Sequence, residues 1–487
     1  MSQEIRNLEP NALWNKFADL NAVPRPSKKE ERVIKFMKDF GESLGLETIE
    51  DEVGNVIIRK PATKGMEDRK PIVMQSHLDM VHQKNNDTVF DFDTQGIDMY
   101  VEGDWVKAKG TTLGADNGLG VATIMAILES DTIVHPDLEA LFTIDEETGM
   151  TGAMGLQGGL LKGDILLNLD TEEDDEIGVG CAGGIDVTAK GSYNEESVAK
   201  DGMKACRIEV KGLQGGHSGM QIHEGLGNAN KIMNRLLFAV IEDIQVSEID
   251  GGSLRNAIPR ESISTIVFKE DKKELLLNLL NALANTIKKE LKTMEPDLEM
   301  VFTEVDVPEH VMPFEAQEQI LKALYAAHNG VYRMSADITD LVETSNNLAR
   351  VIVKDGHIKV GCLTRSSVES SKMDLANTLR ATFELAGCEV EFSGSYPGWT
   401  PNMDSAILKV MVPIYERLNN GEKPHVAACH AGLECGILGQ NYPDMDMISF
   451  GPNIKGAHSP DERAQISSAQ KYWEYVLEIL KNIPKKN

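Results

Sequence analysis

The chain has 487 residues, a formal net charge of −28 and a pI near 4.8. This length is ample for two domains with substantial cores, and the negative charge argues against a nucleic acid as partner. No apolar stretch approaches the roughly 20 residues of a membrane span, and no early apolar stretch follows a basic segment, so neither a membrane partner nor a secretory leader is expected. The six cysteines are scattered without a C-x-x-C pair, which fits a reduced, cytoplasmic protein.

The N-terminal third is expected to begin an α/β core. The apolar spacing over residues 13–20 predicts a helix. Ser27-Lys28-Lys29-Glu30 has the pattern of a capping box and predicts the start of a second helix, which ends near Gly45. Residues 56–58 are β-branched and follow a turn, so they predict a strand.

The next predicted strand ends in a histidine and an aspartate. Residues 71–76 form a short apolar run bounded by proline, which predicts a buried strand that leads into His77 and Asp79. In extended chain, residues i and i+2 point to the same face, so these two side chains project together. A metal-bound imidazole usually donates its second N–H to a carboxylate, a role that suits Asp79. Taken alone, the pattern also fits an ordinary surface or core histidine.

Asp116 occupies a tight glycine-rich turn, residues 114–118, before a helix predicted over 119–129. The N-terminus of a helix favours a negative charge, because its backbone N–H groups and dipole point toward it. A carboxylate at this position is suited to bridging two cations. The ordinary alternative is an aspartate that only caps the helix.

Two further apolar runs end in acids, and a late loop carries a histidine. Residues 138–144 predict a strand followed by Asp145-Glu146-Glu147, three acids that repel each other unless cations compensate. Adjacent glutamates can divide the work, one binding metal and the other taking a proton from water. Residues 164–169 predict a strand that ends in Asp170, and a glycine-rich loop presents His458. Each feature alone has an ordinary explanation, such as a solvated acidic turn.

Together these residues indicate one site that gathers two divalent cations and activates a water. The combination resembles the M20 family of dinuclear metallopeptidases over essentially the whole chain. The matching stretches are Ser76–Met80, Gly114–Gly118, Asp145–Gly149, Asn168–Asp170 and Gly456–Pro460. Within that family the chain looks most like the aminoacyl-histidine dipeptidase branch. The features that point to this branch are the chain length, Cys181–Gly184, Gly215–Gly219 and His430–Gly436.

The resemblance implies an α/β fold of two domains. The catalytic domain is expected to be a phosphorylase/hydrolase-like zinc-peptidase domain, with a mixed central sheet flanked by helices, formed by residues 1–186 and 398–487. Because His458 belongs with the N-terminal ligands, the chain must return to the first domain, so residues 187–397 are an inserted α+β lid or dimerisation domain. The similar segments at 253–256 and 345–348 predict two related halves in this insertion. A doubled lid leaves the oligomeric state open, with a homodimer preferred.

The resemblance also implies a ligand set. The implied ligands are His77, Asp116 and Asp170 for one cation and Asp116, Glu147 and His458 for the other. Glu146 is the implied general base, and Asp79 the implied partner of the metal-bound histidine. A mixed nitrogen and oxygen ligand set suits Zn²⁺, and Mn²⁺ or Co²⁺ also fit it.

The expected activity is hydrolysis of unblocked dipeptides, including Xaa-His, by a metal-activated water. The resemblance implies that His217 reaches the scissile carbonyl oxygen, and that Asn256 and Arg365 hold the substrate's backbone and free carboxylate. A guanidinium group can bind a carboxylate through two parallel hydrogen bonds. The ordinary alternatives are a surface arginine for Arg365 and a turn residue for Asn256. The alternatives are another M20-type hydrolase (an N-acyl amino acid deacylase, a tripeptidase or a carboxypeptidase) and a noncatalytic peptide-binding protein.

Overall fold

The computed structural model describes residues 3–486, which divide into two compact units. The first unit contains the residues up to Gly180, then Trp399–Ala428, and then the residues from Leu433 onward. The second unit contains Cys181–Gly398 and the short segment Cys429–Gly432. The insertion expected at residues 187–397 lies inside the second unit.

The elements alternate between helices and strands along most of the chain. Up to residue 181 they are α1 Gln3–Arg6, α2 Asn11–Leu20, α3 Glu31–Ser43, β1 Glu47–Glu50, β2 Val56–Lys60, β3 Ile72–His77, β4 Met99–Glu102, β5 Trp105–Ala108, α4 Ala115–Glu129, β6 Leu138–Thr143, α5 Glu146–Gly149, α6 Thr151–Gly155, β7 Ile165–Asn168 and β8 Glu176–Cys181. From 183 to 396 they are β9 Gly183–Ser192, β10 Glu196–Ser197, β11 Met203–Lys211, α7 Ala229–Ala239, β12 Gln245–Gly252, β13 Ser262–Lys269, α8 Lys273–Glu290, β14 Glu299–Val305, β15 His310–Val311, α9 Phe314–Ala326, β16 Gly330–Met334, β17 Val342–Lys354, β18 His357–Ser366, α10 Glu369–Glu384 and β19 Glu389–Tyr396. The last elements are α11 Ala406–Leu418, β20 His425–Cys429, α12 Glu434–Asn441, β21 Asp446–Ser449, β22 Ile454–Lys455, β23 Arg463–Gln465 and α13 Ile466–Lys481.

The first unit is built on a mixed sheet of eight strands in the order β1-β2-β6-β3-β7-β21-β8-β20. Its centre is parallel: β3 pairs in parallel with β6 and β7, and β7 in parallel with β21. The strands β3, β6 and β7 are buried along their whole length, as their near-continuous apolar sequences require for a sheet covered on both faces. The carboxyl ends of these parallel strands therefore lie at one edge of the sheet. His77, Glu146, Glu147 and Asp170 lie at or just after these strand ends.

A smaller sheet in the same unit has four strands in the order β22-β23-β5-β4. The segment between β22 and β23 carries His458, so this sheet fixes both ends of that loop. The closing helix α13 begins directly after β23 and buries Tyr472, Val476 and Ile479.

The second unit contains a nine-stranded sheet whose main order is β14-β11-β13-β12-β17-β18-β9-β19, with β16 paired to β17. This order is symmetric about the β12–β17 pair: β11 lies between β14 and β13, as β9 lies between β19 and β18. Each half also carries two helices, α7 and α8 in one and α9 and α10 in the other. One apolar core of this unit includes Leu236, Leu348 and Phe383, all fully buried. The arrangement is consistent with two related α+β halves.

One local prediction is wrong. Ser27 does not cap the helix α3, because no side-chain hydrogen bond caps its N-terminus and Lys28 has a left-handed backbone conformation (φ 67°). The Ser27 hydroxyl instead donates to Asp79 Oδ2 at 2.7 Å. The side chain of Glu30 accepts from the backbone N–H of Lys28. Ser27 thus makes a tertiary hydrogen bond to Asp79 instead of a local cap on α3.

Within residues 3–486, no helix has both the length and the apolar character needed to cross a membrane.

Candidate active site

The first group of candidate ligands surrounds His77 at the end of β3. His77 is buried, and its Nε2 lies 3.2 Å from Asp116 Oδ1 and 3.4 Å from Asp170 Oδ1. Its other ring nitrogen, Nδ1, faces Asp79 Oδ1 at 3.4 Å. Asp116 lies in the first turn of α4, where its backbone is not helical, and Asp170 lies two residues after the end of β7. The structure thus brings together His77, Asp116 and Asp170, with Asp79 behind the imidazole.

The second group meets at His458. His458 Nε2 lies 2.9 Å from Glu147 Oε2 and 3.2 Å from Asp116 Oδ2. Asp116 therefore directs one carboxylate oxygen to each histidine, so it belongs to both groups. In each group, the candidate ligand atoms lie within 4.8 Å of one another, close enough to hold one metal ion. The two groups of candidate ligands therefore share the Asp116 carboxylate.

Glu146 lies beside both groups. A third set of atoms within the same 4.8 Å limit joins His77, Glu146 and Glu147, so distance alone permits either glutamate to bind metal. The ion pair to His458 distinguishes them, because it involves Glu147. Asp79 accepts hydrogen bonds from the backbone N–H groups of Glu146 at 3.0 Å and Glu147 at 3.3 Å. The same carboxylate therefore faces the histidine at the end of β3 and holds the backbone of the two glutamates after β6.

In the second unit, the candidate substrate residues His217 and Asn256 lie on adjacent segments. The backbone carbonyl of Asn256 accepts a hydrogen bond from Ser218 N at 2.8 Å, and its residue is exposed. His217 Nδ1 accepts from the backbone N–H groups of Gly219 at 3.2 Å and Met220 at 3.0 Å. With Nδ1 used as an acceptor, the neutral ring carries its proton on Nε2. Burial, followed by the charge of nearby Arg365, lowers the pKa of His217, which favours this neutral donor form.

Arg365 and His430 lie against the same glycine-rich loop. A side chain on Gly219 would meet the carbonyl oxygen of His430 at 2.2 Å and Arg365 Nε at 3.1 Å, so only glycine permits this approach. Arg365 is buried on β18 and donates through Nη1 to the Tyr396 hydroxyl at 2.6 Å. His430 Nε2 lies 2.8 Å from Ser345 Oγ, and burial, followed by the charge of Arg365, lowers the pKa of His430 to about 3. The guanidinium and two neutral imidazoles are thus gathered around one loop.

Comparison with known proteins identifies the family. Residues 73–482 match the peptidase family M20/M25/M40. The chain belongs to this family. The predicted resemblance to M20 metallopeptidases, which rested on the residues at the strand ends, is confirmed.

Two known proteins match this chain along nearly its whole length. The cytosol non-specific dipeptidase of Escherichia coli strain K12 is 44% identical over 485 residues, covering 99% of this chain and 100% of the relative. The crystal structure of aminoacylhistidine dipeptidase from Vibrio alginolyticus is also 44% identical, with a TM-score of 0.94 over 100% of this chain and 99% of that one. A tripeptidase from Staphylococcus aureus, 17% identical with a TM-score of 0.56 and coverage of 98% and 99%, shares the fold. The predicted α/β fold and the aminoacyl-histidine dipeptidase branch are confirmed.

Membership of this metallopeptidase family implies divalent metal ions, and the candidate ligands fit them. Among the described residues, Glu147 Oε1 and Asp170 Oδ1 are buried without a hydrogen-bond partner. Burial raises the pKa of Asp170 to about 6, whereas hydrogen bonds to Asp116 and Glu147 raise the pKa of His458 to about 11. Burial by itself would lower the pKa of His77, but the charge of Asp170 and the hydrogen bond to Asp116 raise it well above its usual value. The carboxylates thus attract positive charge, which bound cations would supply without protonation of the histidines.

A buried polar network lies behind the strand ends and was missed from the sequence. Gln75, two residues before His77, donates to Glu434 Oε2 at 2.6 Å, and the Thr143 hydroxyl donates to the same oxygen at 2.7 Å. Asn168 Nδ2 donates to Gln75 Oε1 at 2.5 Å. Burial raises the pKa of Glu434 to about 7. The available signal was the presence of an amide side chain in each of two otherwise apolar strands.

Proposed function

We propose that this chain is a di-metal-dependent dipeptidase that hydrolyses unblocked dipeptides, including those with a C-terminal histidine. The observation that carries the proposal is the convergence of two candidate ligand groups on Asp116. It occurs in a chain that is 44% identical, along its whole length, to a cytosol non-specific dipeptidase. The name of that relative supports dipeptides as substrates and the cytoplasm as location.

The proposed ligands are His77, Asp116 and Asp170 for one ion and Asp116, Glu147 and His458 for the other. Nitrogen and carboxylate ligands together suit Zn²⁺ best, and Mn²⁺ or Co²⁺ would also be accepted. When bound, such ions lower the pKa of a water and polarise the peptide carbonyl.

Glu146 is the proposed general base. Its carboxylate takes a proton from the attacking water and passes it to the leaving nitrogen of the peptide bond, a contribution of about 10²–10⁴-fold. The water oxygen ends in the new carboxylate, and the transferred proton ends on the released amine. Asp79 supports this step from two sides, because it accepts from the backbone N–H of Glu146 at 3.0 Å and faces His77 Nδ1 at 3.4 Å. This second contact keeps the proton on Nδ1 and leaves Nε2 free to bind metal.

The second unit supplies the proposed substrate contacts. His217, protonated on Nε2, donates to the scissile carbonyl oxygen as negative charge develops there. Arg365 has its Nη1 held by Tyr396, which fixes the guanidinium plane for a bidentate bond to the substrate's free carboxylate. Asn256, with an exposed side chain beside the His217 loop, holds the substrate's backbone. Recognition of a free carboxylate favours substrates with an unblocked C-terminus.

The test compares four substrates with metal-loaded and chelator-treated protein: Ala-His, Leu-Ala, N-acetyl-His and Ala-Ala-His. Metal-dependent cleavage confined to the two free-amine dipeptides is the expected result. Cleavage of N-acetyl-His instead would identify a deacylase, and cleavage of Ala-Ala-His alone would identify a tripeptidase. Hydrolysis that survives complete metal removal would refute the metal centre itself.

A further inference from the structure

The segment that enters helix α4 is held by a carboxylate that belongs to neither ligand group. Glu462 Oε2 accepts hydrogen bonds from the backbone N–H of Leu113 at 2.6 Å and of Gly114 at 2.9 Å. Glu462 Oε1 accepts from Ala115 N at 2.7 Å and from Asp116 N at 3.2 Å. Four consecutive N–H groups thus converge on one buried side chain that is only 3% exposed.

These bonds link the two loops that carry ligands of the proposed second ion. Asp116 is itself one of the four donors, whereas Glu462 lies four residues after His458. The connecting residues form a tight loop, in which Glu462 N donates to Ser459 O at 3.0 Å. Movement of one loop would therefore break hydrogen bonds to the other. His458, whose side chain is 57% exposed, depends on such an anchor because the protein covers little of the imidazole.

Arg25 holds the same segment from its carbonyl side. Its Nη2 donates to Gly114 O at 2.5 Å, and its Nη1 donates to the carbonyls of Leu78 and Asp79, each at 3.0 Å. The buried guanidinium and the Glu462 carboxylate carry opposite charges and bind opposite polar groups of one short backbone segment. Burial of two charges in this way is tolerated when they are hydrogen-bonded, and here both Glu462 oxygens and both terminal nitrogens of Arg25 have partners.

We propose that Glu462 is a positioning residue, which sets the separation of Asp116 and His458 and thereby the affinity of the metal centre. Both of its oxygens are occupied by backbone donors, and it is absent from every group of candidate ligands within the described residues. It therefore acts through Asp116 and His458 rather than on the substrate. The inference rests on the proposed function, because it assumes that these two residues bind a metal.

The experiment replaces Glu462 by Gln and by Asp and measures Co²⁺ binding to the metal-free protein. Glu462→Gln keeps the side-chain length but turns an NH₂ group toward two of the four backbone donors. Loss of a residue that orients metal ligands typically costs about 10–100-fold in metal affinity, so a loss of that size is expected, together with an altered visible spectrum of the Co²⁺ protein. Glu462→Asp keeps the negative charge on a shorter side chain, and its Co²⁺ affinity should lie between those of the wild type and Glu462→Gln. At saturating metal, KM for a dipeptide should stay near the wild-type value.

The matched control is Asp461→Asn, which removes the same charge from the adjacent, exposed residue and should bind Co²⁺ like the wild type. Thermal unfolding of the metal-free variants shows whether they fold. If Glu462→Gln does not fold, the Co²⁺ affinity of Glu462→Asp still tests the proposal. Wild-type affinity and spectrum in Glu462→Gln would overturn the positioning role while leaving the dipeptidase proposal intact. A wild-type protein that binds no Co²⁺ would refute the metal centre and the positioning role together.

Discussion

Replacing Glu146 by Gln should remove most of the turnover and leave metal binding unchanged. Within residues 3–486 the Glu146 carboxylate accepts no hydrogen bond, and the bond that anchors its backbone N–H to Asp79 does not depend on the side chain. Glutamine has the same length and volume, so folding should be unaffected. The substitution therefore isolates the basicity of the side chain.

The size of the loss follows from the proposed proton transfer. General-base catalysis contributes about 10²–10⁴-fold, which corresponds to about 3–5 kcal/mol of transition-state stabilisation. Because the water and the leaving amine exchange a proton through this carboxylate, the loss should appear in kcat rather than in KM. The kcat of the wild type should fall at acid pH as the carboxylate is protonated, and the variant should lack that dependence.

The assay combines steady-state hydrolysis of Leu-Ala with elemental analysis of bound metal. Glu147→Gln is the matched control, since it makes the same change one residue away at the carboxylate that pairs with His458 at 2.9 Å. That variant should lose metal, whereas Glu146→Gln should keep the wild-type content. Wild-type kcat in Glu146→Gln would refute the base assignment, and the reverse pattern of metal loss would show that the two glutamates have exchanged roles.

Three other predictions concern metal, pH and substrate. Chelation should lower the melting temperature as well as abolish activity. Each bound ion adds about 2.7 kcal/mol to the free energy of unfolding when the free metal concentration is 100 times Kd. Calorimetry that shows equal stability with and without metal would contradict this prediction. Burial raises the pKa of Glu434 from 4.5 to about 7, so between these pH values the folded protein keeps a proton that the unfolded chain releases. Glu434 should therefore lower the free energy of unfolding as the pH rises from 4.5 to 7, by up to about 3 kcal/mol. Urea unfolding at pH 5 and 8 should show that Glu434→Gln loses this slope; an unchanged slope would assign it to other groups. Arg365→Lys should raise KM for dipeptides about 10–100-fold, because hydrogen bonds to charged groups contribute about 1.5–3 kcal/mol. The same substitution should change KM much less for dipeptide amides, which lack the free carboxylate. An equal effect on both substrates would exclude carboxylate recognition by Arg365.

The position of the site could be predicted from the sequence because three strands carry the same local pattern. Residues 71–76, 138–144 and 164–169 were each predicted as a buried strand, and the structure has strands at Ile72–His77, Leu138–Thr143 and Ile165–Asn168. Once these strands are parallel neighbours, the residues that follow them share one edge of the sheet. Strand-end chemistry therefore predicted one shared site for the residues after these strands. The division of the candidate ligands into two groups came from the resemblance to the M20 family.

The supporting residues could not be predicted in the same way, because their partners are remote in sequence. Glu434 binds Gln75 across 359 positions, and Glu462 binds the N–H groups of residues 113–116 across 346 to 349 positions. In the sequence Glu462 stands between Asp461 and Arg463, which is typical of a solvated charged turn. Nothing local distinguishes an exposed acid from one that accepts four backbone hydrogen bonds.

The failed capping box shows how such residues become detectable. Ser27 and Glu30 satisfy the local rule for a helix start. Ser27 nevertheless donates to Asp79, because that buried carboxylate, which also faces His77, needs a hydrogen-bond donor. Gln75 likewise breaks the apolar pattern of β3, and its amide joins that strand to the carboxylate of Glu434. In both cases a polar side chain departs from the local rule close to the candidate ligands, and in both its partner is a buried carboxyl group. Departures from local rules inside well-predicted elements are therefore the sequence positions at which residues supporting a charged site should be sought first.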